Sequence, residues 1–222
     1  MKHKSTTTNL LHFLEKLTAE MDDGHPMDVV YLDFSKAFDR VPHARLIAKF
    51  RAHSVDGKVL KWIQSWLSGR TQRTVLNGEF SEWGEVDSGV PQGSVLGPLA
   101  FIVFINDIDS YALLISILNK FADDTKLGQV VSTLGQVSAL QTCLDELVTW
   151  SEIWGMDFNV SKCKVMHLGR NNQKASYTMN NIKLDTTVKE RDIGVLIQPN
   201  LRPTFQCAES SRRANAVLGQ IS

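Results

Sequence analysis

The sequence predicts an α+β fold in which an antiparallel sheet is packed with helices. Three observations carry this expectation. Met27 to Phe34 is a nearly continuous apolar run, the pattern of a strand covered on both faces at the centre of a sheet. Two hairpin signals follow, Asn77-Gly78 between alternating stretches and Asp123-Asp124 between apolar ones. Amphipathic helix patterns separate these strands, and 222 residues at 43% hydrophobic can bury a substantial core.

In chain order, Ser5 to Asn9 offer helix caps before Leu10, Leu11, Leu14, Leu17 and Met21, one face of a helix that ends near Asp23-Gly24. The strand from Met27 comes next. Pro42 starts a helix through Leu46, Ile47 and Phe50, and a second carries Val59, Leu60, Trp62, Ile63, Trp66 and Leu67. The expectation for these tryptophans is core packing. Thr71 to Leu76 and Glu79 to Val86 read as strands around Asn77-Gly78. Ser88 to Pro98, with three glycines and two prolines, is a shaped loop whose backbone can approach a ligand, and Pro98 opens the apolar helix Leu99 to Ile108.

Tyr111 to Leu118 reads as the strand before the acidic doublet, and Leu127, Val130 and Val131 belong to the strand after it. Thr133 caps a helix through Val137, Leu140, Leu144, Leu147, Val148 and Trp150 that stops at Gly155. A strand follows from Cys163 to Leu168. Asn180-Asn181 marks a turn, Ile193 to Ile197 a strand, and Gln206 to Leu218 a final helix.

An isolated Asp-Asp is weak evidence for a metal, and Asp22-Asp23-Gly24 reads as an ordinary polar turn. The doublet at Asp123-Asp124 differs because Asp33 closes the apolar run Val29-Val30-Tyr31-Leu32, so two strands deliver carboxylates to a sheet end. Gathered carboxylates repel, and a divalent cation removes the conflict. Hard oxygen donors favour Mg²⁺ or Mn²⁺, and two such ions roughly 3.5–4 Å apart serve in-line phosphoryl displacement. Nucleotidyl transfer is the chemistry this predicts.

Composition narrows the alternatives. The formal net charge is zero, yet Arg40 to Arg73 contains Arg45, Lys49, Arg51, Lys58, Lys61 and Arg70 against Asp56 alone, while Glu79 to Asp124 is acidic. A basic flank beside an acidic centre suits a metal-dependent enzyme on nucleic acid, and equally two solvated helix faces. Cys143, Cys163 and Cys207 lack the spacing of a disulfide framework or a zinc site; Cys163 and His167 are expected to pack. No apolar run is long enough to span a bilayer, and an intracellular protein, nuclear or cytoplasmic, is expected.

The motifs together resemble the reverse transcriptases of non-LTR retrotransposons, jockey-like elements among them. Val-Val-Tyr-Leu-Asp33-Phe-Ser-Lys-Ala-Phe38-Asp39 matches motif A, Ser-Gly-Val-Pro-Gln92-Gly93-Ser motif B, and Phe-Ala-Asp123-Asp124 motif C. Asn159 to Lys162 matches motif D, and Cys163-Lys164-Val165-Met166-His167-Leu168-Gly169 matches motif E, the primer grip. The resemblance implies a right-hand polymerase palm with partial fingers and a truncated thumb. Its implied divisions are a residual fingers helix over 1–26, the palm with inserted fingers helices over 27–170, a hairpin region over 171–200, and the start of the thumb over 201–222.

It further implies an RNA-directed DNA polymerase that copies an RNA template from a DNA primer and dNTPs with two Mg²⁺ or Mn²⁺ ions. Asp33, Asp123 and Asp124 would hold the metals. Phe34, Phe38, Gln92, Gly93 and Lys4 would contact the nucleotide, with Phe38 excluding a 2′-hydroxyl, and Lys162 would protonate the departing pyrophosphate. Where the family has Lys-Gly-Arg-Ser-Thr the chain reads Lys2-His3-Lys4-Ser5-Thr6, which keeps charge at Lys4 but not the planar fork of arginine. Fingers, thumb or endonuclease regions of a longer element-encoded protein are therefore implied partners. The alternative is a truncated or domesticated remnant, without turnover, that at most binds RNA or a protein.

Overall fold

A computed structural model describes residues 5–113 and 115–221. Helix α1 (Thr6–Asp22) begins at Ser5, whose side chain accepts from the Thr8 N–H while the Thr8 hydroxyl accepts from the Ser5 N–H. Strand β1 is Met27–Leu32, followed by a short helix α2 (Ala37–Arg40), α3 (His43–Ala52) and α4 (Gly57–Leu67). Four two-residue strands come next: β2 (Thr71–Gln72), β3 (Val75–Leu76), β4 (Glu79–Phe80) and β5 (Gly84–Glu85). Helix α5 (Leu96–Phe104) leads through a 3₁₀ turn (Asn106–Tyr111) to β6 (Ile117–Phe121), β7 (Asp124–Val130) and the long α6 (Leu134–Trp154). The chain closes with β8 (Lys164–Leu168), β9 (Thr178–Met179), β10 (Ile182–Lys183), β11 (Asp185–Thr186), β12 (Glu190–Asp192), β13 (Val195–Ile197) and α7 (Thr204–Ile221).

These elements form two compact units. The first comprises residues 1–33, 112–146 and 159–222. Its sheet has the order β11-β8-β1-β7-β6, antiparallel except where β11 joins β8 in parallel. The apolar run from Met27 is central, as its composition predicts. Successive side chains of β1 alternate between faces. Met27 and Val29 face the side on which Phe13 and Leu17 of α1, Ile117, Met166, Leu168 and Ile197 form one buried cluster. Burying Phe13 and Leu17 contributes ~1.5–3 kcal/mol each.

The opposite face carries a polar group that hydropathy does not anticipate. Asp28 is fully buried, and its Oδ1 lies 2.6 Å from His167 Nδ1 and accepts from Asn172 Nδ2 at 2.7 Å. Its Oδ2 accepts from the Tyr177 hydroxyl at 2.7 Å. Every oxygen therefore has a partner, the condition for keeping a carboxylate out of water. Burial, with the Asp28 hydrogen bond and charge added, drives the Tyr177 hydroxyl pKa well above its ordinary value.

The second unit comprises residues 34–111 and 147–158. Its core includes Phe34 stacked on Phe158 at 4.5 Å and Phe104 edge-on to Trp150 at 6.2 Å. Lys49, expected on a solvated basic face, is instead buried. Its ammonium lies 3.4 Å from the centroid of the Trp154 ring and pairs with Asp107, whose Oδ1 accepts from Trp150 Nε1 at 3.0 Å. A buried charge demands such partners.

Several expectations need correction. The strand placed over Tyr111 to Leu118 begins only at Ile117, because Asn106 to Tyr111 winds into a 3₁₀ turn in which the Ser110 hydroxyl donates to the Asp107 carbonyl. The two strands around Asn77-Gly78 are broken into short pieces, all exposed, so no core face holds a longer ladder together. The turn itself is present, with positive φ at Asn77 and Gly78. Trp62 is 56% exposed and stacks on Trp66, since Leu60, Ile63 and Leu67 form the buried stripe of α4 and Trp62 falls beside it. Lys4 and Leu114 lie outside the described residues.

Candidate active site

Strand register gathers the acids. Pairing of β1 with β7 runs from Met27↔Val130 to Leu32↔Thr125, so one further step brings Asp33 opposite Asp124. Opposed residues in an antiparallel pair point to the same face. Pairing of β1 with β8 runs from Met27↔Leu168 to Tyr31↔Lys164; beyond it the chain before β8 turns over Asn159 to Cys163, and this turn brings Lys162 to Asp33. The Lys162 ammonium stands 3.4 Å from Asp33 Oδ2.

The doublet does not occupy the hairpin turn symmetrically. Phe121 pairs with Asp124, so Ala122 and Asp123 make the turn and Asp124 is already the first residue of β7. Ala122 adopts φ +53°, a left-handed conformation that costs a residue with a Cβ ~1–2 kcal/mol. Asp33 is braced from behind: its N–H faces Cys163 Sγ at 3.5 Å, and its carbonyl accepts from the Asn159 N–H at 2.8 Å.

The electrostatics agree with the register. Partial burial raises the Asp124 carboxyl above its ordinary value, and the charges of Asp123, Asp192 and Asp33 add to that, while Lys126 opposes them. Asp33 Oδ2 is out of contact with solvent and makes no hydrogen bond. That oxygen has the Lys162 ammonium as its ion-pair partner, and with Asp124 nearby the two carboxylates are donors of the kind a hard cation takes. Among the described residues, no group of three or more His, Cys, Asp or Glu side chains is placed to hold a metal ion, so Asp33, Asp123 and Asp124 do not converge as a three-carboxylate site.

A cavity of about 360 Å³ opens at this sheet end, with Tyr31, Asp33, Asp124, Lys126, Lys162 and Asp192 in its lining. Asp192 and Lys126 carry no motif and were not among the expected site residues. Asp33, Asp123, Asp124 and Lys162 all belong to the first unit, whereas Phe34, Phe38, Gln92 and Gly93 belong to the second.

In that second unit the loops holding Phe38 and Gln92 are laced together. Val90 N–H donates to the Phe38 carbonyl at 2.7 Å, Gly89 N–H to Val41 at 2.8 Å, and Gln92 Nε2 to Asp39 Oδ1 at 3.0 Å. Gly89 has φ +83°, and a Cβ there would stand 2.6 Å from the Asp39 carbonyl oxygen, so only glycine permits the approach. Phe38 stacks on Phe101 at 4.5 Å, and Phe34 is buried against Phe158, which makes Phe34 a packing residue. Gly93 is exposed with φ +77°.

The strand matched to the primer grip is mostly interior. Cys163, Val165, Met166 and Leu168 are buried, and His167 is held by Asp28. Burial pushes the Cys163 thiol up to about 11, which fits packing rather than reactivity. Lys164 pairs with Asp185 at 2.8 Å, and Gly169, with φ +90°, ends the strand.

Comparison with known proteins places this geometry in context. Residues 3–207 match the family model described as reverse transcriptase (RNA-dependent DNA polymerase). The chain is 34% identical over 140 residues to the RNA-directed DNA polymerase from mobile element jockey of Drosophila melanogaster, covering 60% of this chain and 15% of that protein. It is 28% identical over 179 residues to the protein of the same name from Drosophila funebris, covering 77% and 19% respectively. The chain thus spans less than a fifth of the length of these curated relatives. In fold it resembles an apo telomerase from Candida tropicalis, with a TM-score of 0.60 at 14% identity over 88% of this chain and 39% of that one.

Proposed function

The chain belongs to the reverse transcriptase (RNA-dependent DNA polymerase) family, and from that premise we propose that its sheet end is the catalytic centre of RNA-templated DNA synthesis. The observation that carries this is the end of the β1–β7 ladder at Leu32↔Thr125, which leaves Asp33 and Asp124 as the adjoining residues of the two strands, both lining one cavity. Asp33 and Asp124, with Asp123 in the adjoining turn, would hold two Mg²⁺ or Mn²⁺ ions. When bound, such ions lower the pKa of the attacking primer 3′-hydroxyl and neutralise charge on the leaving pyrophosphate. Water and phosphate oxygens complete the coordination of Mg²⁺, so an all-protein cage is not required.

The chain's own groups do the rest. Lys162 is 67% exposed on its side chain, within reach of a phosphate, and its ammonium can donate a proton to the departing pyrophosphate oxygen. Phe38 is proposed as the steric gate under the sugar, and Gln92 and Gly93 as the contact with the incoming nucleotide. Gly93 presents bare backbone, suited to close approach. The RNA template, DNA primer and dNTPs are the proposed substrates, and the remaining fingers and thumb contacts come from a longer protein. No helix among the described residues is long and apolar enough to cross a membrane.

The test is primer extension on an RNA template in Mg²⁺ with the 222-residue chain. Extension by the parent, abolished by Asp33→Asn or Asp123→Asn, supports the reading. Lys162→Leu should slow extension roughly 10²-fold or more, the usual scale of general-acid catalysis. Phe38→Val should raise ribonucleotide incorporation relative to deoxynucleotide. Template binding by the parent without extension would withdraw the activity from this chain, and extension that survives Asp33→Asn would withdraw the site.

A further inference from the structure

A buried ammonium sits on the same strand face as the candidate metal carboxylates, and the catalytic reading has no use for it. Lys126 follows Asp124 by two residues on β7, so both side chains point to one face. Only 4% of Lys126 is exposed, and its Nζ lies 4.4 Å from the centroid of the Phe13 ring. A lysine there would naturally neutralise the crowded acids beside it. Positions two apart on a strand are separated by roughly 6.5–7 Å, within reach of a lysine side chain that changes rotamer.

Its charge is felt at Asp124, but its ion pair is made elsewhere, because another carboxylate holds it. Asp192 of β12, also 4% exposed, pairs with the Lys126 ammonium through Oδ2. Asp192 is fixed by the β12–β13 hairpin, where Asp192 pairs with Val195 and Ile193 and Gly194 form the turn with positive φ. Tyr31 stands opposite Lys126 in the β1–β7 register. Both partners of this ion pair line the same cavity as Asp33 and Asp124.

We propose that Asp192 is a positioning residue that sequesters the Lys126 ammonium, keeping it from pairing with Asp124 and so leaving the Asp124 carboxylate available to a divalent cation. This rests on the metal-binding reading of Asp33 and Asp124. Asp192 touches neither substrate nor metal; it acts through Lys126. The residue lies 66 positions from its partner, in a hairpin that none of the catalytic motifs includes.

Two measurements test it, and neither needs turnover. In metal-free protein, urea unfolding of Asp192→Asn, Asp124→Asn and the double variant forms a thermodynamic cycle. If Lys126 transfers to Asp124 when Asp192 is neutral, the loss caused by Asp192→Asn is larger in the Asp124→Asn background. Additive effects overturn the proposal.

The second measurement is Mn²⁺ binding followed by the EPR signal of the free ion. Asp192→Asn should bind roughly tenfold more weakly than the parent, because the displaced ammonium competes for the carboxylates. Asp192→Asn combined with Lys126→Met should recover binding to within about threefold of the parent, since no competitor remains. That double variant leaves no unpaired buried charge, and it serves even where Asp192→Asn alone does not fold. Binding that stays weak in the double variant overturns the proposal, as a purely structural role of Asp192 would give that result. A parent that takes up no Mn²⁺ instead overturns the metal reading, and the inference with it.

Discussion

Asp124→Asn is expected to cut primer extension roughly 10³-fold or more while making the metal-free protein no less stable at neutral pH. The two effects share one cause. Partial burial and the neighbouring charges of Asp123, Asp192 and Asp33 all disfavour ionisation of Asp124, so its pKa in the folded chain lies above the ordinary 3.8. Over the window between those values the folded protein holds a proton that the unfolded chain has released. Stability therefore falls as pH rises through that window, and the ionised carboxylate remains a net burden above it. Asparagine cannot ionise, so its variant escapes the loss.

Urea unfolding in EDTA checks the sign. Parent and variant should have similar midpoints below the window, and above it the variant should be the more stable. Added Mg²⁺ should reverse the order, because only the parent gains a bound cation that stabilises the folded state. A variant that is less stable than the parent at neutral pH without metal would show that Asp124 makes a structural bond instead. Stability set aside for function in this way is the signature expected of a site rather than of a core residue.

How much of this was legible in the sequence depends on the distance over which each interaction acts. Asp33 was readable because it terminates an apolar strand, and the turn beside Asp124 because its hairpin is local. The glycines of Ser88 to Pro98 suggested close approach to a ligand, whereas what Gly89 approaches is the backbone of Asp39, a contact that no local pattern specifies. Lys49 misled because helical periodicity assigns a lysine to solvent, whereas an aspartate 58 residues away and three aromatic rings hold it inside. Trp62 misled in the opposite direction, since aromatic character alone does not fix which side of a helix stripe a residue falls on. The Lys126–Asp192 pair was invisible because neither residue has a meaning until β12 folds against the strand that carries the other. Local pattern gave the sheet and its acids; long-range pairing decided how the charges around those acids are disposed.

The same logic gives the largest expected effect on stability. Asp28→Ala should lower the unfolding free energy by about 3–5 kcal/mol, the scale for removing one partner of a buried charged network. Asp28 interrupts an apolar strand, and its partners His167, Asn172 and Tyr177 lie 139, 144 and 149 residues further along the chain. Alanine removes the acceptor for all three. The Tyr177 hydroxyl, buried and donating to Asp28 Oδ2, would be left without its acceptor, and the side chain of His167, only 6% exposed, would lose its carboxylate. Each stranded donor costs about 1–3 kcal/mol.

Asp28→Asn tests whether shape or charge matters. Asparagine keeps one acceptor oxygen but replaces the other with a donor that faces the Tyr177 hydroxyl or the His167–Asn172 pair. Its loss should be smaller than that of alanine yet exceed that of Tyr177→Phe, which removes only the hydroxyl. Because Asn172 also donates to the Met27 and Leu168 carbonyls, the network pins the ends of β1 and β8 together. Just beyond the far end of those two strands lies the Lys162–Asp33 ion pair. Asp28→Ala should therefore reduce primer extension even in the fraction that remains folded, and active-site titration distinguishes that loss from simple unfolding. A variant losing less than about 1 kcal/mol would mean that water replaces the carboxylate without strain, and that the register is held by the apolar face alone.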